Sequence, residues 1–184
     1  SVMFLTDPLQ RKLHALGYGL RIVDPFAHGT KGVEKTLFQW DAEHRPAYYL
    51  LASVPPVIHR WFEARKIPTM IFGSRDPNVR LPALDLDTEA TVRHAVECLL
   101  RRGHRQIALL NLPPAGVVGA RITNETFLRI CAHEARRGAR GFIQSCAARP
   151  AAVEAAIRRM FARAHPPTAV LVTGDFELVI SLYT

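Results

Sequence analysis

The chain has 184 residues, of which 48% are hydrophobic and 22% charged, and its 24 basic and 16 acidic side chains give a formal net charge of +8. That length and apolar content suffice for one domain or two small lobes and exclude a disordered chain. No apolar run approaches the roughly 20 residues that cross a bilayer, and Ser1-Val2-Met3-Phe4-Leu5 lacks the basic leader of a signal peptide, so the expectation is a cytoplasmic protein without membrane contact.

In chain order, Val2-Met3-Phe4-Leu5 reads as a short buried strand ending at Thr6-Asp7-Pro8. Leu9, Leu13 and Leu16 then mark a helical face closed by Gly17, and residues 18–23 read as a second strand. Ligands of open parallel sheets sit beyond the carboxyl ends of the strands, which makes Asp7 a candidate contact; the same residue also suits a plain chain turn before Pro8. Residues 33–43 predict a helix with Val33, Leu37 and Trp40 on one side, and 47–52 form a continuous apolar run typical of a strand covered on both faces. Ser53-Val54-Pro55-Pro56 turns the chain into a helix over 57–66, with Ile58, Trp61 and Phe62 at core spacing, and 67–72 make a fourth strand.

Asp87-Thr88-Glu89-Ala90 opens a helix whose apolar Val92, Ala95, Val96, Leu99 and Leu100 recur with a helical period until Gly103 stops it. Gly103-His104-Arg105 then launches a strand over 107–110, so this stretch is one strand-helix-strand step of a parallel sheet. A faint strand signal lies at Gly141-Phe142-Ile143-Gln144. Pro150 opens a helix with Val153, Ile157, Met160 and Phe161 expected to face inward, and Thr168-Ala169-Val170-Leu171-Val172 is a buried strand ending at Gly174-Asp175.

Cys98, Cys131 and Cys146 are odd in number and widely spaced, which fits reduced packing residues better than a disulfide framework or a zinc site. The histidines fall in no metal-binding spacing. Without G-x-G-x-x-G, a P-loop or G-x-S-x-G, the chain offers no cofactor motif and no catalytic residue, although an enzyme on a Rossmann-like sheet remains a weaker alternative. Residues 101–140 hold eight arginines against Glu125 and Glu134. They read first as a solvated basic face and second as a surface for DNA or acidic lipid.

The wording of Asp87-Thr88-Glu89-Ala90, of Leu99 through Ala108 with its Gly-His-Arg turn, and of Pro166-Pro167-Thr168-Ala169-Val170 resembles the effector-binding core of the lactose-repressor/galactose-repressor (LacI/GalR) family of bacterial transcription regulators. The resemblance covers most of the chain. It implies an α/β fold of the two-lobed, periplasmic-binding-protein-like (type I) kind, with parallel sheets flanked by helices and truncated at the C-terminus. Residues 1–86 would form the N-terminal lobe and 87–184 an incomplete C-terminal lobe. The link from Pro8 to Leu9 is shorter than in the family by roughly a dozen residues, against the usual economy of loops.

The resemblance also implies a small polar effector, sugar-like, held in the cleft between the lobes. Arg121 takes the place of the family's effector-facing arginine, its planar fork suited to paired hydroxyls or a carboxylate, although a plain surface arginine also fits. Asp175 takes the place of the acid at the end of a second-lobe strand, where it would accept two hydroxyl hydrogen bonds or cap the following helix. From the first lobe, Asp7, Ser53, Phe72 and Ser74 stand at the turns toward the ligand. The family commonly has an aspartate where Gly73 stands, which leaves Ser74 or Arg75 to replace that contact. The partners implied are the effector, a second copy of the chain in a homodimer, and operator DNA bound through a helix-turn-helix domain absent from this sequence. The alternative of the same fold class is a periplasmic sugar-binding protein of a transporter.

Overall fold

In the computed structural model, which describes residues 3–24, 32–113 and 116–174, two three-stranded parallel sheets carry the architecture. Helices α1 (Met3–Ala15) and α2 (Val33–His44) come first. Strand β1 (Tyr49–Ala52), helix α3 (Pro56–Ala64) and strands β2 (Thr69–Phe72) and β3 (Ala83–Leu84) build the first sheet, in the order β1-β2-β3. Helix α4 (Thr88–Arg101), β4 (Gln106–Asn111), α5 (Val118–His133), a 3-10 turn over Glu134–Arg137, β5 (Arg140–Ser145), α6 (Pro150–Phe161) and β6 (Ala169–Val172) build the second, in the order β5-β4-β6. This is the α/β organisation of helix-flanked parallel sheets that the sequence predicts.

The beginning of the chain departs from expectation. Residues 3–5, expected in a strand, lie in α1, whose Leu, Gln, Arg, Lys and Ala residues favour helix strongly enough to continue through Pro8. Pro8 lacks the N–H that would bond back to Phe4, so the helix runs on with that rung missing. Residues 18–23, expected in a second strand, have extended backbone without strand pairing, and Tyr18, Ile22 and Val23 are exposed. With no strand at residues 3–5 to pair against, their apolar pattern has no ladder to join.

Helix α3 supplies the largest share of the first core. Pro56 sits in its first turn, where a missing N–H costs nothing, and Ile58, Trp61 and Phe62 pack with Leu51, Ile71, Val33 and Leu37. Strand β1 is covered on one face only: Leu51 is buried while its neighbours Tyr48 and Leu50 are exposed. The continuous apolar run was therefore a misleading guide to two-sided burial. The open side of this sheet carries Leu50, Phe72 and Leu84, with Leu50 aligned to Met70 and Phe72 to Leu84.

Strand β4 is the centre of the second sheet and is covered twice. Ile107 and Leu109 face Val92 and Val96 of α4 and Phe127 and Cys131 of α5; Ala108 and Leu110 face Val153, Ala156 and Met160 of α6. Its unbroken apolar sequence follows from that double burial. Phe161, expected inside, is instead 53% exposed, because the helix turns it past the stripe formed by Val153, Ala156 and Met160. Gly141 in β5 sits under α5, where an added Cβ would lie 2.4 Å from the Cys131 sulfur and 3.1 Å from the Phe127 ring. Burial pushes the Cys131 thiol up to about 11.

Both ends of α4 obey local rules. The Asp87 carboxylate accepts a hydrogen bond from the Ala90 N–H at 2.8 Å, capping the first turn. At the other end the N–H of Gly103 donates to Leu100 and that of His104 to Leu99, a Schellman closure with Gly103 at φ 88°. His104 Nδ1 then lies 3.2 Å from the Thr168 hydroxyl at the entrance to β6. Gly103→Ala is expected to cost about 1 kcal/mol in chemical denaturation, the penalty of a Cβ in the left-handed region; an unchanged midpoint would show that the turn can reshape without loss.

Candidate functional site

The carboxyl end of β2 and the chain following β4 meet across a cleft. From the first sheet the turn after Phe72 passes through Gly73, at φ 125°, and brings Asp76, Pro77 and Asn78 against Pro56 and Arg60 of α3. From the second sheet Gly116, Val117 and Val118 lead into α5, which presents Arg121, Asn124 and Glu125. The cleft between them has a volume of about 670 Å³. Beside the cleft α5 comes close to the turn after β2: a Cβ on Gly119 would stand 2.9 Å from Ser74 Oγ.

Asp76 organises the first wall. Its side chain is 5% exposed and accepts from Arg60 Nη1 at 2.5 Å, from the Asn78 N–H at 3.0 Å and from Asn78 Nδ2 at 3.1 Å. The Asn78 backbone bond and the Arg60 guanidinium hold its carboxyl below the usual range, outweighing the opposing effect of burial. The Asp76 N–H donates to Nδ1 of the buried His59 at 3.3 Å. Burial lowers the His59 pKa and favours the neutral ring that this bond requires, although the Asp76 charge pulls the other way.

Polar side chains also order the second wall. Asn111, buried at the end of β4, donates through Nδ2 to Asn124 Oδ1 at 2.6 Å and accepts from the Ser145 hydroxyl at 2.7 Å. This leaves the Asn124 amide nitrogen without a hydrogen bond among the described residues. Arg121 Nη1 reaches both oxygens of Glu125, at 3.0 and 2.9 Å, with both side chains more than half exposed. Such a pair one helical turn apart contributes little to stability and leaves the rest of the guanidinium available. Donors and acceptors on both walls, with as many carboxylates as guanidiniums, suit a polar solute of matching size.

The structure separates the residues expected at the site. Arg121 lines the cleft. Asp7 lies exposed within α1, so the strand end that pointed it toward a ligand is absent. Ser53, exposed at φ 53°, follows β1, and Phe72 is 36% exposed at the end of β2; neither lines the cleft. Ser74 lies in an adjoining hollow, where it donates to Asp85 Oδ2 at 2.6 Å. Asp175 falls outside the described residues. Arg60, Asp76, Asn78 and Asn124 were not foreseen, although Asp-Pro-Asn is a recognisable turn signature that could have drawn attention to Asp76. A carboxylate thus comes from this turn after all, three residues beyond Gly73.

Among solved structures, a LacI-family regulator from Bifidobacterium animalis subsp. lactis superposes with a TM-score of 0.79 at 20% identity, over 98% of this chain and 65% of the other. The chain has the LacI-type effector-domain fold. The Cra regulator of Pseudomonas putida in complex with fructose 1-phosphate gives a TM-score of 0.71 at 21% identity, covering 97% of this chain and 65% of that one. A LacI-family regulator from Lactobacillus casei with bound sucrose gives 0.69 at 21% identity, with 97% and 67% covered. This chain spans 62% of the length of a putative LacI regulator from Bacillus cereus subsp. cytotoxis, with 95% of this chain covered. No protein-family model matches the sequence, and no curated protein matches it. Among the described residues, no helix is long and apolar enough to cross a membrane, and no group of three or more acidic, His or Cys side chains is placed to hold a metal.

Proposed function

We propose that this chain is the ligand-sensing part of a LacI-type transcription regulator, a binding protein without turnover that works in the cytoplasm. The observation that carries this reading is the cleft between the two sheets, with Arg60, Asp76 and Asn78 on one wall and Arg121, Asn124 and Glu125 on the other, in a fold whose relatives include regulators crystallised with fructose 1-phosphate and with sucrose. The two walls belong to lobes divided near residue 86. A sugar-like solute bridges them, and Asp175 is retained as a further contact from the second lobe.

Binding changes the balance between open and closed arrangements only to the extent that the solute prefers one of them. In a homodimer, that change in lobe angle alters the spacing of two attached helix-turn-helix readers on operator DNA. Arg121 is the residue to test, because its exposed pair with Glu125 adds little to folding. Calorimetry against sucrose, fructose 1-phosphate and a panel of sugars and polyols should find a ligand whose affinity falls about tenfold or more in Arg121→Ala, the effect of losing a hydrogen bond to a charged group. Full retention of affinity in that variant would remove the cleft from consideration.

A further inference from the structure

The pole of the second sheet opposite the cleft carries a charge pattern that effector binding does not use. Because β4, β5 and β6 are parallel, all three begin at this pole, and α4, α5 and α6 all end there. The loops concerned lie side by side: the Arg140 N–H donates to the Arg105 carbonyl at 2.7 Å and the Thr168 N–H to the Gln106 carbonyl at 2.7 Å. Exposed on them are Arg102, Arg105, Arg136, Arg140 and Arg163, none of which forms an ion pair among the described residues. Residues 101–168 contain twelve arginines and three glutamates, Glu125, Glu134 and Glu154. Glu125 lies in the interior of α5 and Glu154 in the early part of α6, away from the ends of those helices that reach this pole. Glu134 is taken up by Arg137 at 3.0 Å and His133 at 3.1 Å.

Favourable placement of cations at helix C-termini accounts for Arg101 and His133, which stand in last turns. Arg105 also serves that helix end, donating through Nη1 to the Leu100 carbonyl at 2.7 Å, and the Arg163 guanidinium lies 4.1 Å over the Phe142 ring; no such contact accounts for Arg136 on the turn or Arg140 at a strand entrance. We propose that this pole binds the phosphate backbone of nucleic acid without reading its sequence. Arg105 and Arg140 stand at the entrances of paired strands about 4.8 Å apart, and a guanidinium offers the two-pronged geometry that phosphate oxygens accept. A bilayer is the poorer fit, since interfacial binding needs an apolar face as well as charge and residues 102–105, 134–140 and 162–168 include no Phe, Tyr, Trp, Leu, Ile, Val or Met. Phe161, exposed beside them, is the side chain that a membrane would engage and a phosphate row would not.

The test is fluorescence anisotropy of a labelled 30-base-pair duplex of arbitrary sequence with the 184-residue chain, across a salt series. The combined variant Arg102→Ser, Arg136→Ser and Arg140→Ser is compared with Arg11→Ser, Lys35→Ser and Arg80→Ser, which removes the same charge elsewhere. The first set should reduce the slope of log affinity against log salt by about 2.7, at about 0.9 per phosphate contact, while the second leaves it near the original value and Phe161→Ala has no effect. Equal losses in the two sets would reduce the pole to general net charge and overturn the proposal. So would absence of duplex binding at low salt, or capture by anionic phosphatidylserine vesicles that Phe161→Ala abolishes while the duplex stays unbound.

Discussion

Phe127→Ala is expected to cost about 4 kcal/mol of stability, the range for truncating a fully buried aromatic residue. Phe127 is 0% exposed and lies among Val92, Val96, Ile107 and Leu109, so it joins α5 to both α4 and the central strand β4. Its ring also meets the space above Gly141, so α5 is positioned on β5 by the fit between a ring and the absence of a side chain. Urea denaturation followed by circular dichroism measures the loss. A change below about 1 kcal/mol would mean that α5 closes the cavity by moving, contrary to the close packing of protein interiors.

Asp76→Ala is expected to be the costliest polar substitution, at about 3 kcal/mol at pH 7, because one carboxylate receives Arg60, the Asn78 backbone and the Asn78 side chain together. The acid dependence has a defined sign. Asp76 titrates below its ordinary 3.8 in the folded chain, so its contribution is complete above that value and disappears as pH falls through the lowered one. The folded state likewise favours neutral His59, whose contribution is complete above its ordinary 6.5 and declines as pH falls toward its lowered value. Stability of the unsubstituted chain should therefore fall in two stages on acidification, and Asp76→Ala should shrink the lower one, to which Glu89 and Glu134, also held low by arginines, still contribute. Parallel pH profiles for the two proteins would contradict this account of the turn.

The centre of the second sheet was legible in the sequence because the signals of α4 and β4 each had one physical cause. Helix α4 had a capping aspartate, a helical apolar stripe and a glycine stop, and β4 had the unbroken apolar run of a strand buried twice. The first residues misled for the converse reason. Val-Met-Phe-Leu has an apolar run too short to distinguish strand from helix, and helical propensity in the residues that follow settled the matter. At the candidate site, Arg121 could be identified by likeness to a family motif. For Asp76 the Asp-Pro-Asn signature marks only a turn, because its importance comes from contacts with Arg60, sixteen residues away, and with the buried His59. Such pairings depend on how α3 lies against the turn after β2, which no local pattern encodes.

The near-contact between Gly119 and Ser74 fixes how closely α5 approaches the turn after β2. A hydrogen atom at position 119 lets the serine keep its bond to Asp85 at 2.6 Å, whereas a branched side chain there would wedge the walls apart. The separation of α5 from the turn after β2 is thus set by the smallest side chain in the protein, and a larger residue there would widen it without changing Arg60, Asp76 or Arg121.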